Sequence, residues 1–186
     1  MKRAAVLIFI VAMLSGCSSA HPELDRGMAL RDRLLSGQGC SFDAEITADY
    51  GDKLYEFSMA CQGDVQGNLA FTVTAPETIA GITGTVSDVG GKLTFDDTAL
   101  QFELMTDDQL SPVSAPWIFL RTLRSGYLTS AGMDGEQLRL TINDSYEEDA
   151  LQLDIWLDGD DVPVRAEILY DGRRILSLSV KNFKIS

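Results

Sequence analysis

Three cysteines, one histidine and several acidic clusters are the side chains of this 186-residue chain best suited to tethering, metal binding or catalysis. Cys17 closes an apolar N-terminal run, and Cys40 and Cys61 lie further along. A Ser-His-acid or Cys-His arrangement needs its imidazole inside the fold. The lone histidine, His21, instead sits in a small-residue stretch just after Cys17, so hydrolase chemistry of that type is not expected. No Cys/His cluster has zinc spacing. Asp158-Gly159-Asp160-Asp161 has the acidity of a calcium loop but lacks its spacing and its closing bidentate glutamate, and reads as a hairpin turn. Glu147-Glu148-Asp149 reads as a solvated loop. No carboxylates stand out as a general acid/base pair, and no phosphate-cradling glycine loop precedes a helix. The chain is expected to be non-catalytic, with no metal and no cofactor.

The cysteine at position 17 gains meaning from what precedes it. Lys2 and Arg3 form a short positive region, Ala4 to Leu14 are apolar, and small residues follow. That is the layout of a secretory signal, and the apolar run is far short of the ~20 residues that a membrane span needs. Leu14-Ser15-Gly16-Cys17 resembles the bacterial lipobox. The resemblance implies cleavage before Cys17, diacylation of its thiol and a membrane tether built from buried acyl methylenes, each contributing ~0.8 kcal/mol. The expected organisation is a signal peptide over 1–16, a lipidated tether over 17–22 and one folded domain over 23–186. The expected place is the extracytoplasmic face of a bacterial membrane. In a single-membrane host that is the outer leaflet of the cell membrane. In a two-membrane host, where Ser18 is not the aspartate of sorting rules, it is the outer membrane.

Charge narrows the partners. The chain carries 15 basic and 28 acidic residues, and removal of Lys2 and Arg3 leaves the mature 170 residues at −15. A surface this acidic excludes nucleic acid, whose phosphates require cations. It also predicts repulsion from anionic lipid, so that membrane attachment depends on the acyl anchor.

The elements that hold the remaining cysteines can be read from alternation. Cys40 to Cys61 predicts a β-hairpin turning at Tyr50-Gly51. Folding there puts Ala48 opposite Lys53, Ala44 opposite Phe57, Phe42 opposite Met59 and Cys40 opposite Cys61. One face then collects Phe42, Ala44, Ile46, Phe57 and Met59, and the other Asp43, Glu45, Thr47 and Glu56. Cys40 and Cys61 fall on a non-hydrogen-bonded pair with Cα atoms ~4.5 Å apart, within disulfide reach. A structural disulfide is therefore expected, the alternative being two free buried thiols.

The rest of the chain reads as a leading helix from Pro22 to Leu35, whose Leu24, Met28, Leu30, Leu34 and Leu35 form one apolar stripe packed on a sheet, then further short strands, and an inserted helix from Pro116 to Arg124 closed by Gly126. The count is eleven strands in an antiparallel meander, the second helix following the sixth strand. Trp117, Ile118, Phe119, Leu120 and Leu123 cover more than one side of that helix, which must therefore bury more than one side. It is either a central core helix or a helix laid across a concave sheet above an apolar cavity. The candidate cavity residues are Phe42, Phe57, Phe71, Phe102, Trp117, Ile118, Phe119 and Leu120.

The ending, Ile155-Trp-Leu-Asp-Gly-Asp-Asp-Val-Pro-Val-Arg-Ala-Glu-Ile168 followed by Asp171-Gly-Arg-Arg174 and Leu178-Ser-Val-Lys-Asn-Phe183, resembles the closing strands of the LolA/LolB-like lipoprotein-carrier superfamily. The resemblance implies an eleven-stranded, incompletely closed antiparallel β-barrel, mainly β, with one or two helices across its mouth. It also implies an apolar ligand, lipid or lipoprotein acyl chains, held in the barrel cavity. Because this chain retains its own anchor, it is expected to be a stationary holder or receiver rather than a shuttle. The alternative is an anchored interaction protein of the germination-associated type, holding an envelope protein partner at the membrane with its core filled.

Overall fold

After a leading helix come six strands of the large sheet, then a small hairpin and a second helix, and then its other five strands. The computed structural model describes residues 21–96, 98–106, 109–147 and 150–186, so the signal run and Cys17 lie outside the described residues. Helix α1 (Pro22–Ser36) precedes β1 (Gly39–Asp49), β2 (Leu54–Asp64), β3 (Leu69–Ala75), β4 (Thr83–Ser87), β5 (Gly90–Phe95) and β6 (Thr98–Phe102). A small hairpin, β7 (Met105–Thr106) with β8 (Gln109–Leu110), leads through a 3-10 turn into α2 (Ala115–Ser125). Strands β9 (Tyr127–Asp134), β10 (Gln137–Asn143), β11 (Gln152–Leu157), β12 (Pro163–Tyr170) and β13 (Arg173–Ile185) complete the chain.

The eleven longer strands form one antiparallel sheet in the order β6-β5-β4-β3-β2-β1-β13-β12-β11-β10-β9. Each half is a meander of chain neighbours, and the pairing of β1 with β13 joins them. Strands β6 and β9 end the sheet, so the barrel is not closed. Alternation assigns the faces: Leu138, Leu140 and Ile142 on β10 point inward with Leu176, Leu178 and Val180 on β13, all buried. At Asn182 (φ 53°) the register against β1 shifts, an extra residue that returns Phe183 to the inner face.

The β1–β2 hairpin corrects the expected register. Ala48 pairs with Tyr55, Ile46 with Phe57, Ala44 with Met59 and Phe42 with Cys61, so Cys40 faces Gly63 instead of Cys61. Both thiols are free and buried, and the expected disulfide is absent. The cause lies in the loop, which spans Tyr50 to Lys53 instead of two residues. Asp49 Oδ1 accepts the Gly51 N–H at 2.8 Å, and Tyr50 N–H reaches Lys53 O at 3.0 Å. The Tyr50 hydroxyl turns inward to donate to Leu110 O, and burial pushes its pKa up to about 12. A shift of two residues preserves every side chain's face, so the amphipathic pattern is satisfied equally by both registers.

Helix α1 begins with proline in its first turn and ends where Gly37 N–H reaches Arg33 O at 3.0 Å. Its buried stripe is Gly27, Leu30 and Leu34, whereas Leu24, Met28 and Leu35 stay exposed. The five leucine and methionine positions therefore form two stripes rather than the single one expected. Helix α2 buries Ala115 to Leu120 together with Thr122 and Leu123, which makes it a central core helix.

Candidate functional site

The inner face of the sheet is where the expected cavity should lie, and α2 fills it. Phe119 and Leu120 have 0% exposure, which leaves no water-sized void against either side chain. The Phe119 ring meets Phe42 edge-on at 5.5 Å between centroids and Phe183 at 6.3 Å. Phe42 in turn lies 5.7 Å from Phe183, so three rings from β1, α2 and β13 interlock. Trp117 is buried at one end of the helix, its indole Nε1–H donating to Gly67 O at 3.0 Å.

The backbone makes room for this packing at particular points. A Cβ on Gly63 would stand 2.3 Å from Leu120 Cδ2 and 3.0 Å from Cys40 Sγ, so the glycine is the seat on which α2 rests. Gly91 does the same for Phe102, whose ring lies 2.0 Å from the position of an added Cβ. Two arginines brace the helices: Arg31 Nε donates to Leu123 O at 2.8 Å, and Arg124 Nη2 to Val65 O at 2.9 Å. Burial lowers the Arg31 pKa, with the neighbouring Asp32 charge opposing the shift. Burial likewise raises the pKa of Cys40 and of Cys61, keeping both thiols protonated.

The eight candidate cavity residues thus divide. Phe42, Phe57, Phe71, Trp117, Ile118, Phe119 and Leu120 are buried within one continuous core, and Phe102 packs against its edge. Beyond that edge the inner surface is open. Strands β5 and β6 carry Phe95 and Leu100 at 53% and 63% exposure, and β6 offers a free edge. Leu93 pairs with Leu100 and Gly91 with Phe102, so the apolar side chains of both strands fall on this one surface. A second open feature is a groove of about 540 Å³ at the end of α1, lined by Leu30, Arg33, Asp161, Val162, Phe183 and Ile185 among others.

Sequence alternation placed Phe95 and Leu100 on strands without showing that both stay more than half exposed. It also passed over a buried network on the outer face. Asp154 accepts from Thr141 Oγ1 at 2.8 Å and from Arg139 at 2.6 Å. Next to it, Trp156 lies beneath the guanidinium of Arg165, 4.3 Å above its centroid, and gives its Nε1–H to Asp134 at 2.8 Å. The signal was present as an aspartate and a tryptophan at outward positions of β11, whose core-facing partners are Leu153, Ile155 and Leu157.

The described residues form an open eleven-stranded antiparallel sheet with two helices on its inner face. No family model matches the chain, and no curated protein sequence matches it. Solved structures share the architecture at low identity. A LolA superfamily protein from Nitrosomonas europaea is 6% identical, with a TM-score of 0.44 over 84% of this chain and 91% of that one. The lipoprotein LppX of Mycobacterium tuberculosis is 14% identical, with a TM-score of 0.41 over 87% of this chain and 93% of its own. The structure of the CwlD amidase from Clostridioides difficile in complex with the GerS lipoprotein includes a chain 11% identical, with a TM-score of 0.43. There the match covers 92% of this chain and 99% of the other. Likeness at these identities concerns the fold.

Proposed function

We propose that this protein is a non-catalytic lipoprotein, anchored through Cys17 to the extracytoplasmic face of a bacterial membrane, that holds a protein partner at the open end of its sheet. The observation that carries this reading is the filled core: Phe42, Phe119 and Phe183 pack together inside the sheet, where a barrel cavity for acyl chains is expected. Strand β6 supplies the contrasting surface, an edge with unpaired backbone groups beside exposed Phe95 and Leu100. An extended segment can add to such an edge through main-chain hydrogen bonds, with its side chains taken up by the apolar inner face. A photo-crosslinker placed at Phe95, on the same surface as Leu100, tests this in cells. One defined envelope protein should be captured there, and Leu100→Lys should abolish capture while leaving the melting temperature unchanged. Capture that persists in the Leu100→Lys chain would overturn the assignment of β6.

A second reading, an anchored holder of lipid or lipoprotein acyl chains, draws on the groove lined by Leu30, Phe183 and Ile185 beside α1. Native mass spectrometry of the purified protein separates the two. Co-purifying lipid with no captured partner favours the acyl-chain reading, and a lipid-free chain favours the first.

A further inference from the structure

The net charge conceals a split between the two layers. Helices α1 and α2 carry five arginines against three acids, net +2, whereas the remainder of the chain after Cys17 carries eight cations against 25 acids, net −17. Four of those arginines, Arg31, Arg33, Arg121 and Arg124, pair with no carboxylate among the described residues, Arg33 donating to Asp161 O at 3.0 Å. Arg31 and Arg124 donate to backbone carbonyls, and Arg121 lies 5.3 Å from the Trp117 centroid.

Beside these cations runs the second apolar stripe of α1. Leu24, Met28 and Leu35 recur at helical spacing with Arg31 between them, and all three remain exposed, Leu35 to 53%. Leu35 lines the same surface groove as Arg121 and Arg124, so the stripe and the cations form one surface. Apolar residues interleaved with arginine are the composition of a helix that lies in a lipid headgroup layer.

Chain length brings that layer within reach. Only four residues separate Cys17 from Pro22, the first residue of α1, and the five residue steps span at most about 18 Å when fully extended. We propose that the exposed side of α1, Leu24, Met28 and Leu35 with Arg31, Arg121 and Arg124, lies on the anionic lipid surface of the membrane that holds the anchor. The proposal rests on the acylated-Cys17 reading. The outer face of the sheet, on the side opposite the helices, then points away from the membrane. The three arginines attract anionic lipid locally even though the whole molecule is acidic, because the attraction acts within a Debye length; Asp32 beside Arg31 and Asp88 in the groove of Arg121 and Arg124 oppose it.

The experiment uses the full-length protein with its native acyl chains in phosphatidylcholine/phosphatidylglycerol vesicles. Met28→Cys, Leu35→Cys and Lys53→Cys each receive a bimane label; Cys40 and Cys61 are buried and do not compete. Lys53 is exposed in the β1–β2 loop and serves as the remote position. Headgroup-linked nitroxide should quench the labels at Met28 and Leu35 several-fold more than the label at Lys53. Iodide in the water should show the reverse order. Arg121→Glu, at an exposed position outside the core, should bring quenching at Leu35 down towards the Lys53 level with vesicle flotation intact. Flotation with equal quenching at all three positions would overturn the proposal and leave the anchor standing. Failure to float would overturn the anchor and the proposal with it.

Discussion

Phe119→Ala is the sharpest test of the filled core. The side chain has no exposed surface and contacts two aromatic rings, so truncation removes its transfer free energy and both edge contacts and leaves a void. Such substitutions cost about 3–5 kcal/mol in close-packed cores. In a domain of this size each kcal/mol lowers the melting temperature by about 2–4 °C, so the expected fall is roughly 6–20 °C. Urea unfolding followed by fluorescence should show the same loss as a lower midpoint with an unchanged slope. The packing argument makes a companion demand in the opposite sense. Gly63→Ala adds a methyl at 2.3 Å from Leu120 Cδ2, and overpacking of this kind costs about 1–3 kcal/mol. A helix that covered a ligand chamber would tolerate both changes, because the chamber would absorb the lost or added volume. A fall of less than about 3 °C for Phe119→Ala, with Gly63→Ala neutral, would refute the filled core and restore the acyl-chain reading.

Further outcomes follow from other parts of the molecule. Cys40 and Cys61 should both react with maleimide in protein unfolded without reductant, and neither in the native protein, as read by intact mass. Asp154→Ala should cost about 2–3 kcal/mol in urea, since it leaves the Thr141 hydroxyl and Arg139 without their acceptor. Asp154→Asn, which keeps one acceptor oxygen, should cost less. Burial pushes the Glu167 pKa up, but hydrogen bonds and charges from Arg165 and Arg174 outweigh it and hold the carboxyl below its ordinary value. A depressed folded pKa stabilises fully above the unfolded value and is lost as pH falls through the folded one. Thermal unfolding across the acid range should therefore show a decline that Glu167→Gln removes. Its size should be about 1 kcal/mol or less, because both arginines are half exposed.

Much of this architecture is legible in the sequence. A period of two separates core from solvent on β1, β10 and β13, and proline and glycine at the ends of both helices mark where they start and stop. The eleven strands of the sheet, six before the second helix and five after it, follow from those signals. Register was not legible to the same degree. Parity constrains which face a residue takes, but Cys40 faces inward whether it opposes Cys61 or Gly63. The choice fell to a loop in which Asp49 holds Gly51 and Tyr50 swings in to Leu110, a contact 60 residues away in sequence.

The candidate site divides along the same line. Apolar residues on more than one side of α2 required burial, and the chain alone could not say whether the space beneath held side chains or a ligand. The answer lay in the meeting of Phe42, Phe119 and Phe183, three residues from distant elements, and in the room left by Gly63. Likewise, Leu24, Met28 and Leu35 read as core residues because periodicity reports that a helix has an apolar side. Only its docking shows which of two apolar stripes the sheet covers. Local pattern and composition thus determined the elements, their faces and the candidate tether at Cys17. Register, the filling of the core and the uncovered surfaces of α1 and β6 were decided by contacts between segments far apart in the chain, which no local period encodes.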